Sequence, residues 1–296
     1  MASRTVLLIG ANGQLGHDIL QVWPDACPSD RVVPLTHSDI EVASARSVQN
    51  TLAEHHPDVV INTSAYHRVD IVEDEPGRAF EVNSTGPHNL ALACADLGAV
   101  LIHLSTDYVF SGRGRARGEP YAEKDSIEPL NVYGVSKAAG EMFVRYCWQR
   151  HFLVRVSGLY GVAGSSGKGG NFVETMLRLA GTGNPIRVVD DQVLTPTHTL
   201  AVARQLATLS NSDAYGTYHA TCQGECSWFE FAAEIFRLAG LSPHLGPQST
   251  AEAGNKARRP SYSALDNRNL RSLEMDCMPD WRDALGEYLA MRAVAR

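Results

Sequence analysis

Short apolar runs rich in β-branched residues alternate with amphipathic stretches over the first 160 residues. This alternation is typical of βαβ units that build a parallel sheet. Strands are predicted at Thr5–Ile9, Arg31–Leu35, Val59–Thr63, Val100–Ser105 and Phe152–Val156. Helices are predicted near Gly13–Val22, Ala45–His55, Gly77–Leu97 and Pro129–Gln149. Because crossovers between parallel strands are almost always right-handed, this order predicts an α/β fold with a doubly wound parallel sheet and helices on both faces.

The regular alternation weakens after Tyr160, where a Gly- and Ser-rich stretch covers Gly161–Gly170. One further strand is predicted at Ile186–Val189. Further helices are predicted at Phe172–Leu179, Thr199–Leu209, Trp228–Leu238 and Asp280–Met291. We therefore expect a larger domain over residues 1–160 and a smaller, mainly substrate-binding cap over residues 161–296. The boundary is not expected to be a clean cut, since segments of the cap have room to return to the sheet.

The chain has 296 residues and a formal net charge of −7. This charge gives no general attraction to nucleic acid or to an anionic membrane. The first apolar run, Val6–Ile9, is too short for a signal-peptide core, and no later run reaches spanning length, so we expect a cytoplasmic protein. The six cysteines are scattered and lack the second ligand pair that a zinc site needs. We predict reduced, mostly structural thiols and no metal site.

A Gly-rich basic stretch is the exception to the acidic balance, and it contains Arg113, Arg115 and Arg117. Two interpretations stay open. The stretch is either a solvated surface loop or a lid that meets an anionic substrate.

A glycine-rich loop, Gly10–Gly16, follows the first predicted strand and opens the first predicted helix. Its spacing is G-x-x-G-x-x-G. Glycines let the backbone turn tightly and approach a pyrophosphate, and the N-terminus of the helix attracts the anion through its N–H groups and its dipole. The position of the loop between a strand and a helix predicts a Rossmann-type dinucleotide-binding domain over residues 1–160.

The choice between NADH and NADPH is expected where the second strand ends, from an acidic residue or an arginine. Thr36 and His37 occupy that position, so neither signal is present. Asp39 and Ile40 follow, and Asp39 either contacts the adenine edge or caps a turn. The sequence therefore leaves both cofactors open.

A tyrosine and a lysine, Tyr133 and Lys137, lie four residues apart in a predicted helix. Residues at this spacing share one helical face. The ammonium can then lower the pKa of the phenol and reach a cofactor ribose, which makes the phenol useful in proton transfer near neutral pH. Thr106 comes from the carboxyl end of a parallel strand, where ligands bind in such sheets. Together with the glycine loop, the three residues predict an active site.

Motifs along nearly the whole chain resemble the extended short-chain dehydrogenases/reductases, and among them the dTDP-4-dehydrorhamnose reductase family. The most specific motifs are the Ser-Thr-Asp-Tyr-Val-Phe run at Ser105–Phe110 and the Asp-Gln…Pro-Thr segment between Asp191 and Thr197. The other matching segments are Gly10–Gly16, Asn62–Tyr66, Val69-Asp70, Val82-Asn83, Pro129–Gly134, Asn171-Phe172, Arg259-Pro260, Ser263 and Leu265-Asp266.

The resemblance implies that NADPH or NADH reduces the 4-keto group of a dTDP-linked 6-deoxysugar. Tyr133 would protonate the developing alkoxide, Lys137 would tune Tyr133 and hold the nicotinamide ribose, and Thr106 would bind the carbonyl oxygen. The implied substrate contacts are Thr106, Asp107, Gly158 and Asn171. The implied cofactor contacts are Gly10, Asn12, Gly13, Gln14, Leu15, Asp39, Ile40, Thr63, Ser64, Ala65, Tyr66, Tyr133 and Lys137.

One position departs from the family pattern. Many relatives carry a tryptophan after the serine of an Arg-Thr-Ser segment, where its ring contacts the sugar. Here the segment reads Arg-Val-Ser-Gly, with Gly158 in that place. Because Tyr133 and Lys137 are intact, the departure bears on the identity and affinity of the sugar rather than on the chemistry.

Three other functions compete with a reductase. A nucleotide-sugar dehydratase would have an Asp-Glu pair after the threonine, and Asp107-Tyr108 lacks the second acid. An epimerase shares the Tyr/Lys pair and retains its nucleotide, so it stays open. A non-catalytic dinucleotide-binding subunit, which resembles the regulatory beta subunit of methionine adenosyltransferase, also stays open. The sequence does not decide whether the chain forms a homodimer.

Overall fold

The computed structural model describes residues 3–113, 118–163 and 170–294. The strands are β1 (Thr5–Ile9), β2 (Arg31–Leu35), β3 (Val59–Asn62), β4 (Val100–Thr106), β5 (His151–Val156), β6 (Leu159–Tyr160), β7 (Ile186–Val189), β8 (Val193–Leu194), β9 (Thr197–His198), β10 (Gly216–His219), β11 (Cys226–Ser227) and β12 (Leu245–Gln248). The helices are α1 (Gln14–Ala26), α2 (Ala45–His55), α3 (Val69–Val72), α4 (Pro76–Phe80), α5 (Gly86–Leu97), α6 (Val132–Cys147), α7 (Phe172–Ala180), α8 (Thr199–Ser210), α9 (Trp228–Leu238), α10 (Thr250–Ala253), α11 (Arg268–Ser272) and α12 (Trp281–Val294).

A parallel sheet with strand order β10-β5-β4-β3-β1-β2 forms the centre of the fold. The direction in which the chain crosses the sheet reverses at β1, which pairs with β2 on one side and β3 on the other. Helices α1 and α8 pack together on one face, and α2, α5 and α6 cover the other. β3 and β4 are therefore buried along their whole length. The predicted doubly wound α/β fold is confirmed.

The helix predicted over Gly77–Leu97 is interrupted. The structure has α4, then a π-helical turn at Glu81–Thr85, then α5. Pro87 has no N–H to donate to the carbonyl of Asn83 four residues earlier, so a regular α-helix loses a hydrogen bond there. The Asn83 side chain is also drawn away from the helix, because its amide donates to Tyr66 O at 3.0 Å and to Ser136 Oγ at 3.0 Å.

The chain after residue 160 contributes to the central sheet as well as to its surroundings. β10 pairs in parallel with β5, with Tyr218 opposite Val154. The other strands of this part form two-stranded sheets that pair β7 with β12, β8 with β11 and β6 with β9. The division into two domains at residue 160 stays a prediction.

Arg115 and Arg117 of the basic stretch, and residues 164–169 of the Gly- and Ser-rich stretch, lie outside the described residues. Within the described ranges, no helix combines the length and the apolar character needed to cross a membrane.

Candidate active site

A cavity of about 900 Å³ lies at the carboxyl ends of β1, β3, β4 and β5, next to the point where the sheet changes direction. Ligands of doubly wound sheets bind at such a point. Most of the predicted site residues line this cavity, namely Gly13, Gln14, Leu15, Thr63, Ala65, Thr106, Asp107, Tyr133, Lys137, Gly158 and Asn171. The other predicted residues, all of them described, stand outside its lining: Gly10, Asn12, Asp39, Ile40, Ser64 and Tyr66.

The glycine loop brings the N-terminus of α1 to the cavity. Gly10 has a φ of +85°, and a Cβ there would lie 2.5 Å from Thr63 Oγ1, so the turn needs glycine. Gly13 is the N-cap of α1, and a Cβ there would meet only the Gly10 carbonyl oxygen, at 3.3 Å. The open side of Gly13 therefore faces the cavity. The positive end of the α1 dipole lies at the same wall, as a pyrophosphate site requires.

Side-chain hydrogen bonds fix the backbone that follows β3. Ser64 donates to Asn62 Oδ1 from its N–H at 3.1 Å and from its hydroxyl at 2.6 Å. Asn83 holds Tyr66 from both sides, because its Oδ1 accepts from Tyr66 N–H at 2.8 Å and its Nδ2 donates to Tyr66 O at 3.0 Å. Ser64 and Tyr66 thus shape the wall, while Thr63 and Ala65 face the cavity.

The end of β2 is arranged as a capped turn. Asp39 Oδ2 accepts from the N–H and from the hydroxyl of Thr36, both at 2.7 Å, and these bonds hold the pKa of the exposed carboxyl below its usual value. The Ile40 side chain is buried in the core under the sheet. Of the two interpretations of Asp39, the turn cap is seen directly, and the adenine contact stays a prediction.

Helix α6 delivers Tyr133 to the end of β4. Asn131 caps the helix, its Oδ1 accepting from Gly134 N–H at 2.8 Å. Gly134 permits close packing, because a Cβ there would lie 2.3 Å from the carbonyl oxygen of Tyr108. The phenol of Tyr133 consequently lies near the hydroxyl of Thr106, which lowers the pKa of the phenol. The ring of Tyr108 packs edge-on against Tyr133, with 5.9 Å between the ring centroids.

Lys137 follows one turn later and is buried, with its Nζ donating to Leu104 O at 2.6 Å. Burial lowers the pKa of Lys137 to about 8, and the carboxylate of Glu141 opposes the shift. Glu141 is itself fully buried and accepts from the Arg155 guanidinium at 2.9 and 2.7 Å and from Ser105 Oγ at 2.6 Å. This ion pair joins α6, β4 and β5 next to the predicted catalytic residues.

Burial also governs the acids of the site. It raises the pKa of Tyr133, while the nearby hydroxyl of Thr106 lowers it and the carboxylate of Asp107 raises it further. Tyr133 is therefore protonated at neutral pH, as a proton donor must be. Burial raises the pKa of Asp107, opposed by hydrogen bonds from hydroxyls that include Ser157 Oγ at 2.9 Å. The lowering of the Tyr133 pKa by Lys137 stays a prediction.

Gly158 lines the cavity in a backbone conformation with φ of +54°. A Cβ there would lie 2.7 Å from Leu194 Cδ1 and 3.2 Å from both Thr195 O and Pro196 Cα. The segment 194–196 therefore fills the space beside Gly158. Tyr160, two residues after Gly158, does not line the cavity: its side chain is fully buried and stacks on His198.

Asn171 and Gln14 connect two walls of the cavity. Asn171 caps α7 through Oδ1, and its Nδ2 donates to Gly161 O at 2.8 Å and to Gln14 Oε1 at 3.4 Å. Gln14 Oε1 also accepts from Gly161 N–H at 2.9 Å. The two predicted contact residues thus hold the glycine loop to the start of the Gly- and Ser-rich stretch.

Four residues of the site were given no role from the sequence: Ser157, Glu141, Arg155 and Arg259. Glu141 had a readable signal, because it continues the helical face of Tyr133 and Lys137 at the same four-residue spacing. Arg155 and Arg259 stand in segments that the family resemblance singled out, but their ion pairs were not readable because the acidic partners lie 14 and 189 positions away in the chain.

Comparison with known proteins gives matches over nearly the whole chain. The family described as RmlD substrate binding domain matches residues 4–294. The spore coat polysaccharide biosynthesis protein SpsK of Bacillus subtilis is 40% identical, with 98% of each chain covered. The dTDP-4-dehydrorhamnose reductase of Streptomyces griseus is 38% identical, with 95% of this chain and 91% of the relative covered.

Two solved structures also match nearly the whole chain. The dTDP-4-dehydrorhamnose reductase of Bacillus anthracis, in complex with NADP, has a TM-score of 0.91 and 37% identity over 98% of this chain and 100% of that chain. The UDP-glucose 4-epimerase of Thermus thermophilus, with 19% identity and a TM-score of 0.80 over 99% and 100% of the two chains, shares the fold alone.

The predicted family, the oxidoreductase class and the nicotinamide cofactor are thereby confirmed. The chain belongs to the dTDP-4-dehydrorhamnose reductase family of NAD(P)H-dependent oxidoreductases.

Proposed function

We propose that this protein reduces the 4-keto group of a dTDP-linked 6-deoxysugar with NADPH or NADH, as in the conversion of dTDP-4-dehydrorhamnose to dTDP-L-rhamnose. The observation that carries the proposal is the meeting of Thr106, Tyr133 and Lys137 at one cavity that the N-terminus of α1 also lines. A hydride transfer and a proton transfer to the same carbonyl need these two features together.

The residues present fit a nicotinamide dinucleotide. The open side of Gly13 and the positive end of α1 suit the pyrophosphate, and the Lys137 ammonium suits a ribose hydroxyl. When bound, the cofactor supplies a hydride for the carbonyl carbon of the sugar. The proposed cofactor contacts along β3 are Thr63 and Ala65, which face the cavity.

The chain itself supplies the proton and the charge. Thr106 donates a hydrogen bond to the carbonyl oxygen, and Tyr133 gives its proton to that oxygen as it gains negative charge. Burial keeps Tyr133 protonated until then. In the proposed mechanism the Lys137 ammonium, one helical turn away, stabilises the phenolate that remains. Without substrate the Thr106 hydroxyl donates to Asp107 Oδ1 at 3.0 Å, so its one proton must turn from Asp107 to the carbonyl oxygen when the sugar binds. Asp107, which also accepts from Ser157 Oγ at 2.9 Å, is then placed to accept hydrogen bonds from sugar hydroxyls.

The dTDP-linked deoxysugar is supported by the activities named for the relatives from Streptomyces griseus and Bacillus anthracis. The likeness to SpsK fits a role in supplying a deoxysugar for a polysaccharide. The space beside Gly158, filled by the segment 194–196, bears on which sugar is accepted.

The test is turnover by the purified protein with a panel of dTDP-4-keto sugars, each with NADPH and with NADH. The proposal expects one nicotinamide cofactor oxidised for each sugar reduced. Conversion of the sugar without net oxidation would indicate an epimerase. Tight dinucleotide binding without turnover of any sugar would indicate a non-catalytic subunit. Either result would contradict the proposal.

A further inference from the structure

Leu194 stands where the cavity wall meets the core. Its side chain lines the cavity and is 3% exposed. A Cβ on Gly158 would lie 2.7 Å from Leu194 Cδ1, so the leucine side chain fills the space beside Gly158. The backbone of Leu194 is held in place, because Leu194 pairs with Cys226 between β8 and β11 and Thr195 Oγ1 donates to Gly224 O at 3.0 Å. The leucine is therefore a fixed part of the wall.

Hydroxyl and carboxylate groups form the wall immediately before Gly158. Ser157 Oγ donates to Asp107 Oδ2 at 2.9 Å, and Thr106 Oγ1 donates to Asp107 Oδ1 at 3.0 Å. Thr106 is the residue proposed to bind the carbonyl oxygen of the sugar. Because Ser157 and Gly158 are consecutive, this polar group lies next to the space that Leu194 fills. Near the proposed carbonyl site, the wall thus has a polar part and an apolar part side by side.

The two carbons beside the keto group of a 6-deoxyhexose show the same contrast. C4 lies between C3, which carries a hydroxyl, and C5, which carries the C6 methyl. A hydroxyl donates to a carboxylate, whereas a methyl is stabilised by burial against apolar side chains. Asp107 therefore suits the hydroxyl at C3, and Leu194 suits the methyl. A hydroxymethyl group in place of the methyl would bring a hydroxyl to a side chain that has no hydrogen bond to offer.

We propose that Leu194 binds the C6 methyl of the sugar and makes the site selective for a 6-deoxy sugar over its 6-hydroxy counterpart. The inference rests on the proposed function for the class of ligand and for the position of its carbonyl. Leu159 and Val193, which also line the cavity, extend the apolar wall on either side in the chain. Gly158 and Leu194 act together, because the missing side chain at 158 leaves the room that the leucine takes.

Binding of three ligands tests the proposal. The Kd for dTDP, dTDP-L-rhamnose and dTDP-L-mannose is measured by calorimetry on the protein saturated with NADPH, which cannot reduce these sugars because they have no keto group. The two sugars differ only in the hydroxyl that dTDP-L-mannose carries at C6. Wild type is expected to bind dTDP-L-rhamnose about 10- to 100-fold more tightly than dTDP-L-mannose, the range for an apolar site that meets an added hydroxyl.

Substitutions of Leu194 should act on the sugar and not on the nucleotide. Leu194→Ala is expected to weaken binding of dTDP-L-rhamnose about 10-fold and to leave the Kd for dTDP unchanged. Leu194→Asn keeps the approximate shape of the side chain and adds an amide, so the Kd values for the two sugars should come within about threefold of each other. Leu194→Met keeps an apolar side chain of similar volume and should keep the preference for the methyl.

Leu200→Ala is the matched control. Leu200 is 2% exposed and does not line the cavity, so its loss costs core packing without a contact to the sugar. The Kd ratios of this variant should equal those of wild type. NADPH affinity measured on every variant reports whether the fold and the cofactor site are intact. If Leu194→Ala weakens dTDP and dTDP-L-rhamnose by the same factor, or weakens neither, the assignment of Leu194 is overturned.

Steady-state kinetics separates this inference from the proposed function. Loss of a contact made equally with substrate and transition state raises KM and leaves kcat nearly unchanged. Leu194→Ala is therefore expected to raise KM for dTDP-4-dehydrorhamnose about 10-fold. An unchanged KM in an active enzyme overturns the role of Leu194 and leaves the reductase intact. If wild type reduces no sugar, the reductase proposal fails, and the Kd values for the two dTDP sugars still decide the role of Leu194.

Discussion

The buried carboxylate of Glu141 is expected to keep Lys137 charged at working pH. Burial lowers the pKa of Lys137 to about 8, and Glu141 is the group that opposes this shift. Glu141→Gln removes the negative charge and preserves the shape of the side chain. The pKa of Lys137 should then fall further, so activity that depends on the ammonium is lost at a lower pH.

The size of the effect follows from the titration. With a pKa of about 8, roughly 90% of Lys137 is charged at pH 7 and half at pH 8. Losing one nearby opposite charge is expected to lower the pKa of Lys137 by about one unit, the low end for such a neighbour. That fall, worth about 1.4 kcal/mol, leaves about half of Lys137 charged at pH 7 and roughly a tenth at pH 8. The descending limb of kcat/KM against pH, which reports the free enzyme, should therefore move about one unit towards acid.

The same substitution leaves Arg155 buried without its carboxylate, which costs about 3–5 kcal/mol of folding free energy. Stability and pH dependence can be separated. The double variant Glu141→Gln with Arg155→Met removes the orphaned charge and should recover most of the stability but keep the displaced pH profile. Ser105→Ala removes one hydrogen bond to Glu141 without changing its charge and should keep the wild-type profile. Superimposable pH profiles for Glu141→Gln and wild type would show that Glu141 does not set the charge of Lys137.

Three further predictions concern glycines of the site. Gly13→Val should give a folded protein whose dinucleotide affinity, measured by calorimetry, is at least about 100-fold lower, because a branched side chain enters the proposed pyrophosphate space. Gly77→Ala, where a Cβ meets nothing within 4 Å, is the control. Equal affinities of Gly13→Val and wild type would contradict the placement of the pyrophosphate. Gly158→Trp should lower kcat/KM at least about 10-fold, because the φ of residue 158 is +54° and the new Cβ would lie 2.7 Å from Leu194 Cδ1. A lower KM at constant kcat would show instead that the space beside residue 158 is open. Gly134→Ala should lower the free energy of unfolding in urea by about 1–3 kcal/mol and displace α6, because the new Cβ would lie 2.3 Å from the carbonyl oxygen of Tyr108. A variant as stable as wild type would count against the close packing of α6.

Much of the central sheet was predictable because its signals are local. The strands at Thr5–Ile9 and Arg31–Leu35 of the central sheet, and Ile186–Val189 outside it, have the predicted bounds, since short runs rich in β-branched residues mark strands. The helix over Gly77–Leu97 was wrong in its continuity. Its break depends on Pro87 and on partners that Asn83 finds 17 and 53 positions away, and periodicity does not report such contacts.

The residues of the candidate site also fall into those that local sequence predicts and those that it does not. Thr106, Tyr133 and Lys137 follow from short-range spacing and from the ends of strands, and the structure brings them to one cavity. The role of Asp39 stayed open because a turn cap and an adenine contact use the same residue type. The residue that occupies the space beside Gly158 is not one of its neighbours in sequence. It is Leu194, 36 positions away, which tertiary packing alone places there.

The central claim is that Tyr133 donates a proton during NAD(P)H-dependent reduction of a dTDP-4-keto-6-deoxysugar. The most direct measurement compares wild type with Tyr133→Phe in parallel assays of cofactor oxidation and sugar reduction, with cofactor affinity measured on both. Wild type is expected to oxidise one cofactor for each sugar that it reduces. The variant is expected to have a kcat lower by at least about 100-fold, with little change in cofactor affinity. Near-wild-type turnover by Tyr133→Phe, or no cofactor oxidation by wild type with any sugar of this class, would contradict the central claim.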